Sequence, residues 1–150
     1  PEAKTPEADL QHFKEKVDAG ADSAITQYFF SADAYEQFLE DCARLNVQIP
    51  VIPGIMPITN YSRLARFSKM CGADMPKWIF KRVRAWEEVE DSKSIRQFGD
   101  EVVTDLCRRL LDLGAPGIHF YTLNRAQASL KLCSNLGLGE GNESGDTRAA

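Results

Sequence analysis

Three short apolar runs limit what this chain can fold into: residues 23–30 (SAITQYFF), 50–57 (PVIPGIMP) and 117–124 (GIHFYTLN). Each is rich in β-branched and aromatic residues, and each has Gly or Pro close by. Stretches of helical spacing separate them. Short apolar strands alternating with amphipathic helices read as βα units on a parallel sheet buried on both faces. Polar residues gather at the carboxyl end of each run: Thr26 and Gln27, then Thr59 and Asn60, then Thr122, Asn124 and Arg125. In a (β/α) barrel, ligands sit at that end. The expected fold class is therefore α/β, a partial (β/α)8 TIM barrel of about three parallel strands with flanking helices. A closed barrel takes eight strands, and this chain opens on Pro1-Glu-Ala without a Met. The expectation is the later part of a larger domain.

The intervening stretches carry helix signals. Thr5 stands as N-cap before Pro6, with Glu7 and Asp9 in the first turn, Leu10, Phe13 and Val17 as the apolar stripe, and Gly20 at the close. A second helix opens at Ser31 and turns Tyr35, Phe38, Leu39, Cys42 and Leu45 inward. Asn60 or Thr59 caps a third, with Leu64, Phe67 and Cys71 facing in and Gly72 at its end. Residues 76–113 are too long for a plain crossover. They read as two helices, one with Trp78, Ile79, Val83 and Trp86, the other with Ile95, Phe98, Val102, Leu106, Leu110 and Leu113. Glu87 to Asp91, between them, reads as a solvated charged turn. Pro53 is expected at the end of the second strand, because proline is disfavoured inside a central one. A last helix follows over 126–136. Residues 1–137 form the expected domain and 138–150, lacking periodicity, a disordered polar tail.

Composition narrows the partners. With 43% hydrophobic and 27% charged residues the chain has the make-up of a soluble globular domain. A net charge of −4 argues against nucleic acid or an anionic membrane held by bulk electrostatics. No run has the length of a membrane span and none resembles a signal peptide. Cys42, Cys71, Cys107 and Cys133 form no Cys-x-x-Cys pair and read as reduced thiols, so a cytoplasmic location is expected.

Few residues stand out as chemical. Gln27, on an otherwise apolar run, offers donor and acceptor together, which suits the edge of an amide-like heterocycle; a core glutamine bonded to backbone is equally open. Asp9, His12, Glu15 and Lys16 share a helix side at spacings of three and four. That side is either a solvated face or a holder of nucleotide hydroxyl and phosphate groups. Arg125, just past a strand end, suits a clamp on carboxylate or phosphate, or is simply solvated. Phe67 is core by periodicity, with a ring that also suits an aromatic ligand. His119 alternates with apolar neighbours, and with His12 as the only other histidine no metal is expected.

The segments Ala8-Asp9-Leu10, residues 14–22, Ile25-Thr26-Gln27, residues 50–57 and His119 through Arg125 together resemble methylenetetrahydrofolate reductase, in order from Pro1 to about Leu136. The resemblance implies a flavoprotein on a (β/α)8 barrel. FAD passes hydride from NADH or NADPH to 5,10-methylenetetrahydrofolate in ping-pong fashion, giving 5-methyltetrahydrofolate for one-carbon metabolism and methionine biosynthesis. A homo-oligomer is implied at full length, with folate and nicotinamide as its small-molecule partners.

By the same resemblance, Gln27 bonds the pterin and Arg125 helps hold the folate. Phe67 contacts folate or nicotinamide, and Arg63 stands where some members place a folate-touching Gln. Ala3, Asp9, His12, Glu15 and Lys16 fall on the segment that contacts FAD. Asp9 and Lys16 match the family pattern, whereas other members have Asn and Arg at the positions of His12 and Glu15. The family's glutamate general acid has no match here and is expected upstream, so no catalytic residue is assigned. The chain alone is expected neither to bind FAD tightly nor to turn over. The alternative is a non-catalytic piece that serves only binding or assembly.

Overall fold

The computed structural model describes residues 5–72 and 75–138. Ala3 and the expected tail beyond Leu138 lie outside the described residues. The elements run α1 (Pro6–Asp18), β1 (Ala24–Tyr28), α2 (Ala32–Arg44), β2 (Val51–Ile55), α3 (Tyr61–Cys71), α4 (Lys77–Glu88), α5 (Ser92–Asp112), β3 (His119–Phe120) and α6 (Ala126–Asn135). The three strands are parallel in the order β1-β2-β3, and helices flank them as in part of a TIM barrel.

The helices begin where local chemistry says they should. The side chains of Thr5, Ser31, Asn60 and Asp91 each accept the N–H three residues on, at 3.2, 3.3, 2.9 and 3.0 Å. Each such cap satisfies a donor that the helix itself cannot. Of Thr59 and Asn60, Asn60 is therefore the cap of α3. The charged turn shortens to residues 89–91, because Glu87 and Glu88 belong to α4 and Asp91 caps α5.

Pro53 is not at the end of its strand but in the middle of β2, fully buried. The pairing explains how a central strand tolerates it. The Gly54 N–H bonds to Thr26 on β1, so the neighbouring Pro53 nitrogen faces the opposite flank. There the ladder to β3 begins only with Gly54 opposite His119. Proline's missing donor thus falls before that ladder starts. β3 itself is only two residues long, shorter than its apolar run suggests.

The core lies between sheet and helices. From α5, Ile95, Val103, Leu106, Cys107 and Leu110 are buried, and they meet Val51 and Ile55 of β2 and Ile79 and Val83 of α4. A fully buried side chain of this kind contributes about 1.5–3 kcal/mol, which makes α5 the helix that anchors the others. By contrast α1 buries no residue; its half-buried Phe13 meets Phe38 of α2 with ring centroids 5.4 Å apart. Trp78 of α4 is 57% exposed and lies edge-on to Phe98.

Two outcomes follow from this packing. Gly99→Ala in α5 would ordinarily stabilise a helix by about 1 kcal/mol. Here the added Cβ runs into the Ile58 carbonyl oxygen, so the variant is expected to lose about 1–3 kcal/mol in urea denaturation. Burial pushes the Cys107 thiol up to about 12, so it stays protonated at neutral pH. Mass-resolved alkylation of the native protein should leave Cys107 unmodified while the half-buried Cys71 and Cys133 react.

Candidate functional site

The carboxyl ends of β2 and β3 open on a small cleft. Met56, Pro57, Thr59, Asn60, Arg63 and Leu64 line one side, and Tyr121, Thr122, Leu123, Arg125 and Ala128 the other. Two of the residues singled out from sequence, Arg63 and Arg125, thus come together from chain positions far apart. Among the described residues no carboxylate lines the cleft and two guanidinium groups do, a setting for carboxylate or phosphate. Its free space is about 30 Å³, against about 300–1,000 Å³ for an ordinary small-molecule site. The described residues therefore make one wall of a site rather than an enclosure.

Backbone geometry sets where Arg125 stands. Leu123 and Asn124 are both left-handed, with φ of 49° and 61°. The Arg125 N–H closes the turn onto the Thr122 carbonyl at 2.9 Å. Leucine in this region costs about 1–2 kcal/mol, and such strain collects at ligand-facing turns. Arg125 occupies the N-cap position of α6 without capping it, and its side chain is exposed.

Arg63 is set by a network that sequence reading missed. The Glu87 carboxylate accepts from Asn60 Nδ2 at 3.2 Å, the Tyr61 N–H at 3.3 Å and Ser62 Oγ at 3.0 Å. A residue read as solvated is thus half-buried and pins the start of α3, which carries Arg63 in its first turn. The signal was present: Ile79, Val83 and Glu87 follow one another at spacings of four, which puts Glu87 on the stripe of two fully buried residues.

Gln27 is exposed near the carboxyl end of β1, at the same end of the sheet as the cleft but not among its lining residues. Its Oε1 accepts the Tyr28 N–H at 3.0 Å. The acceptor is therefore partly committed, and the two Nε2 donors are what it presents outward. Phe67, one turn beyond Arg63, is half-buried and packs against the core, as its periodicity indicated. His119 is half-buried in β3, its ring centroid 4.7 Å from that of Tyr121. Among the described residues no group of three His, Cys, Asp or Glu is placed to hold a metal, and no helix is long and apolar enough to cross a membrane.

Asp9, His12, Glu15 and Lys16 are all exposed on α1, and none lines the cleft. Five residues link α1 to the amino end of β1.

The family model described as methylenetetrahydrofolate reductase matches residues 1–137. A 5,10-methylenetetrahydrofolate reductase of Buchnera aphidicola is 38% identical over 92% of this chain, and the match covers 47% of that protein. A probable methylenetetrahydrofolate reductase (NADPH) of Caenorhabditis elegans is 40% identical over 92% of the chain and 21% of its own length. The chain thus spans about half the length of the bacterial relative and less of the animal one. Among solved structures, an uncharacterized protein from Clostridium thermocellum that binds two copies of 5-methyl-5,6,7,8-tetrahydrofolic acid has a similar fold. Its TM-score is 0.55 at 19% identity, covering 87% of this chain and 47% of that one.

The Glu87 network makes its own prediction. Glu87→Ala strands a half-buried N–H and two side-chain donors, and should cost about 1–3 kcal/mol in thermal or urea unfolding. Glu87→Gln keeps one acceptor oxygen and should lose less; equal losses would mean the carboxylate is not what holds α3.

Proposed function

Because the chain belongs to the methylenetetrahydrofolate reductase family, we propose that residues 1–137 supply the folate-facing wall, and part of the FAD-facing surface, of a flavin-dependent reductase. Its substrate is 5,10-methylenetetrahydrofolate, its product 5-methyltetrahydrofolate and its donor NADH or NADPH. One observation carries this reading: Arg63 and Arg125 share a cleft walled by the Tyr121 ring, with the Gln27 amide exposed at the same end of the sheet. A folate is a flat heterocycle with amide-like edges joined to a carboxylate tail. Amide donors suit the first part and guanidinium groups the second. The folate bound by the Clostridium thermocellum protein of similar fold supports the same choice.

On this reading Gln27 donates to the pterin edge, Arg125 and Arg63 hold the anionic portion, and Phe67 borders the folate or nicotinamide. The exposed side of α1 has the right donor set for a dinucleotide: Lys16 and His12 for phosphates, Asp9 and Glu15 for hydroxyls. All four side chains are exposed. FAD, when bound, supplies the hydride chemistry by accepting from nicotinamide and giving to folate. The residues of this chain bind, orient and keep the reacting groups together, and none is assigned as the proton donor. A second reading, a piece that only binds or assembles, is favoured by the one-sided cleft.

The test is the protein expressed from its complete reading frame. It should purify with a flavin spectrum that bleaches with NADH or NADPH and recovers on adding 5,10-methylenetetrahydrofolate. Arg125→Ala should raise the KM for folate about ten- to a hundredfold, the worth of a charge-assisted hydrogen bond. A flavin-free protein, or an unchanged folate KM, would count against the assignment. The 150-residue chain alone is expected to show neither tight FAD binding nor turnover; a stoichiometric flavin absorbance from it would favour the opposite.

A further inference from the structure

β1 and β2 start in regular register, with Ala24 opposite Val51 and Ile25 opposite Ile52. The next pair is Tyr28 with Gly54, so β1 holds one residue more than β2 over this interval. The bulge falls on Thr26 and Gln27. Side chains take part in several of its hydrogen bonds. The Gly54 N–H donates to Thr26 Oγ1 at 2.9 Å. Thr26 Oγ1 donates in turn to the Gln27 carbonyl at 2.8 Å. The Thr26 carbonyl accepts the Tyr121 hydroxyl at 3.0 Å.

Tyr121 belongs to the segment after β3, on the far side of β2 from β1. Its phenol reaches Thr26 only because residue 54 has no side chain. A Cβ there would meet the Thr26 carbonyl oxygen and lie 2.6 Å from a Tyr121 ring carbon. The ring also forms part of the cleft wall. One side chain therefore touches both the cleft with Arg63 and Arg125 and the bulge that carries Gln27.

We propose that Tyr121 is a positioning residue for the folate site, its hydroxyl holding the Thr26 carbonyl so that the bulged β1 aims the Gln27 amide at the ligand. The bulge leaves the Tyr28 N–H to Gln27 Oε1, which turns the Nε2 donors outward. Without the hydroxyl, the Thr26 carbonyl loses its partner and β1 is free to relax toward a regular register. A one-residue slip turns a side chain to the other face of the sheet, and here that side chain is Gln27. The inference rests on the reading that Gln27 contacts the folate.

Tyr121→Phe tests it, since the ring stays as cleft wall and cover for Gly54. Two measurements are made on the protein from its complete reading frame. In amide hydrogen exchange, the Tyr28 and Gly54 N–H groups should exchange faster in the variant while that of Val103, in the middle of α5, is unchanged. In equilibrium binding with 5-methyltetrahydrofolate as probe, Tyr121→Phe should weaken affinity about tenfold, the worth of one hydrogen bond. Added to Gln27→Ala it should cost nothing more, because both changes act through the same amide. Thr26→Val should behave like Tyr121→Phe, and Thr26→Ser should restore binding. If the Tyr121 and Gln27 losses multiply, Tyr121 acts apart from Gln27 and the inference falls while the folate reading stands. If Gln27→Ala alone leaves affinity unchanged, the folate role of Gln27 fails and takes this inference with it.

Discussion

The close approach of β1 to β2 at Gly54 is the constraint on which the ligand-facing end depends. A bare backbone there admits the Thr26 carbonyl and the Tyr121 ring into space a Cβ would fill. That contact lets one phenol reach across the central strand to an edge strand. Beside it β1 carries its extra residue, at Thr26 and Gln27. A bulge re-aims the side chains beside it, and such bulges are found next to active sites.

Below that level the molecule is held by ordinary apolar burial. α5 supplies the longest buried stripe and packs against β2, α2, α4 and α6. At Gly99 it comes so near the segment after β2 that only a hydrogen fits against Ile58. β2 and the segment after it are therefore closely approached twice, at Gly54 from the sheet side and at Ile58 from the helix side. The carboxyl end of β2 is where the cleft opens. α1 stands at the other extreme, with no buried residue and one aromatic contact to α2. The surface assigned to the dinucleotide thus lies on a helix with no buried residue, whereas the surface assigned to folate adjoins the close contacts at Gly54 and Ile58.

The charge of the cleft follows from where one carboxylate goes. Glu87 lies close to the start of α3, yet its oxygens are taken up by Asn60, Tyr61 and Ser62. A carboxylate at a helix N-terminus is favourably placed with respect to the helix dipole. Engaged in this way, it serves the backbone of α3 rather than the guanidinium of Arg63. The two arginines of the cleft therefore have no acid among the described residues that line it.

Much of this was legible in the chain itself. Caps at Thr5, Ser31 and Asn60, the helical stripes and the three apolar runs are local patterns, written within a few residues of one another, and they determine parallel strands alternating with helices. They also determine that Gln27, Arg63 and Arg125 stand after strands or near strand tips. What the tertiary structure alone decided depends on residues remote in sequence. The bulge at Thr26 needs Gly54 and Tyr121; the tolerance of Pro53 needs the late start of β3; the part played by Glu87 needs the start of α3. Periodicity reports which face of an element is apolar. It does not report which polar group on another element will complete an unpaired N–H, and at the strand tips that pairing sets the direction of the side chains.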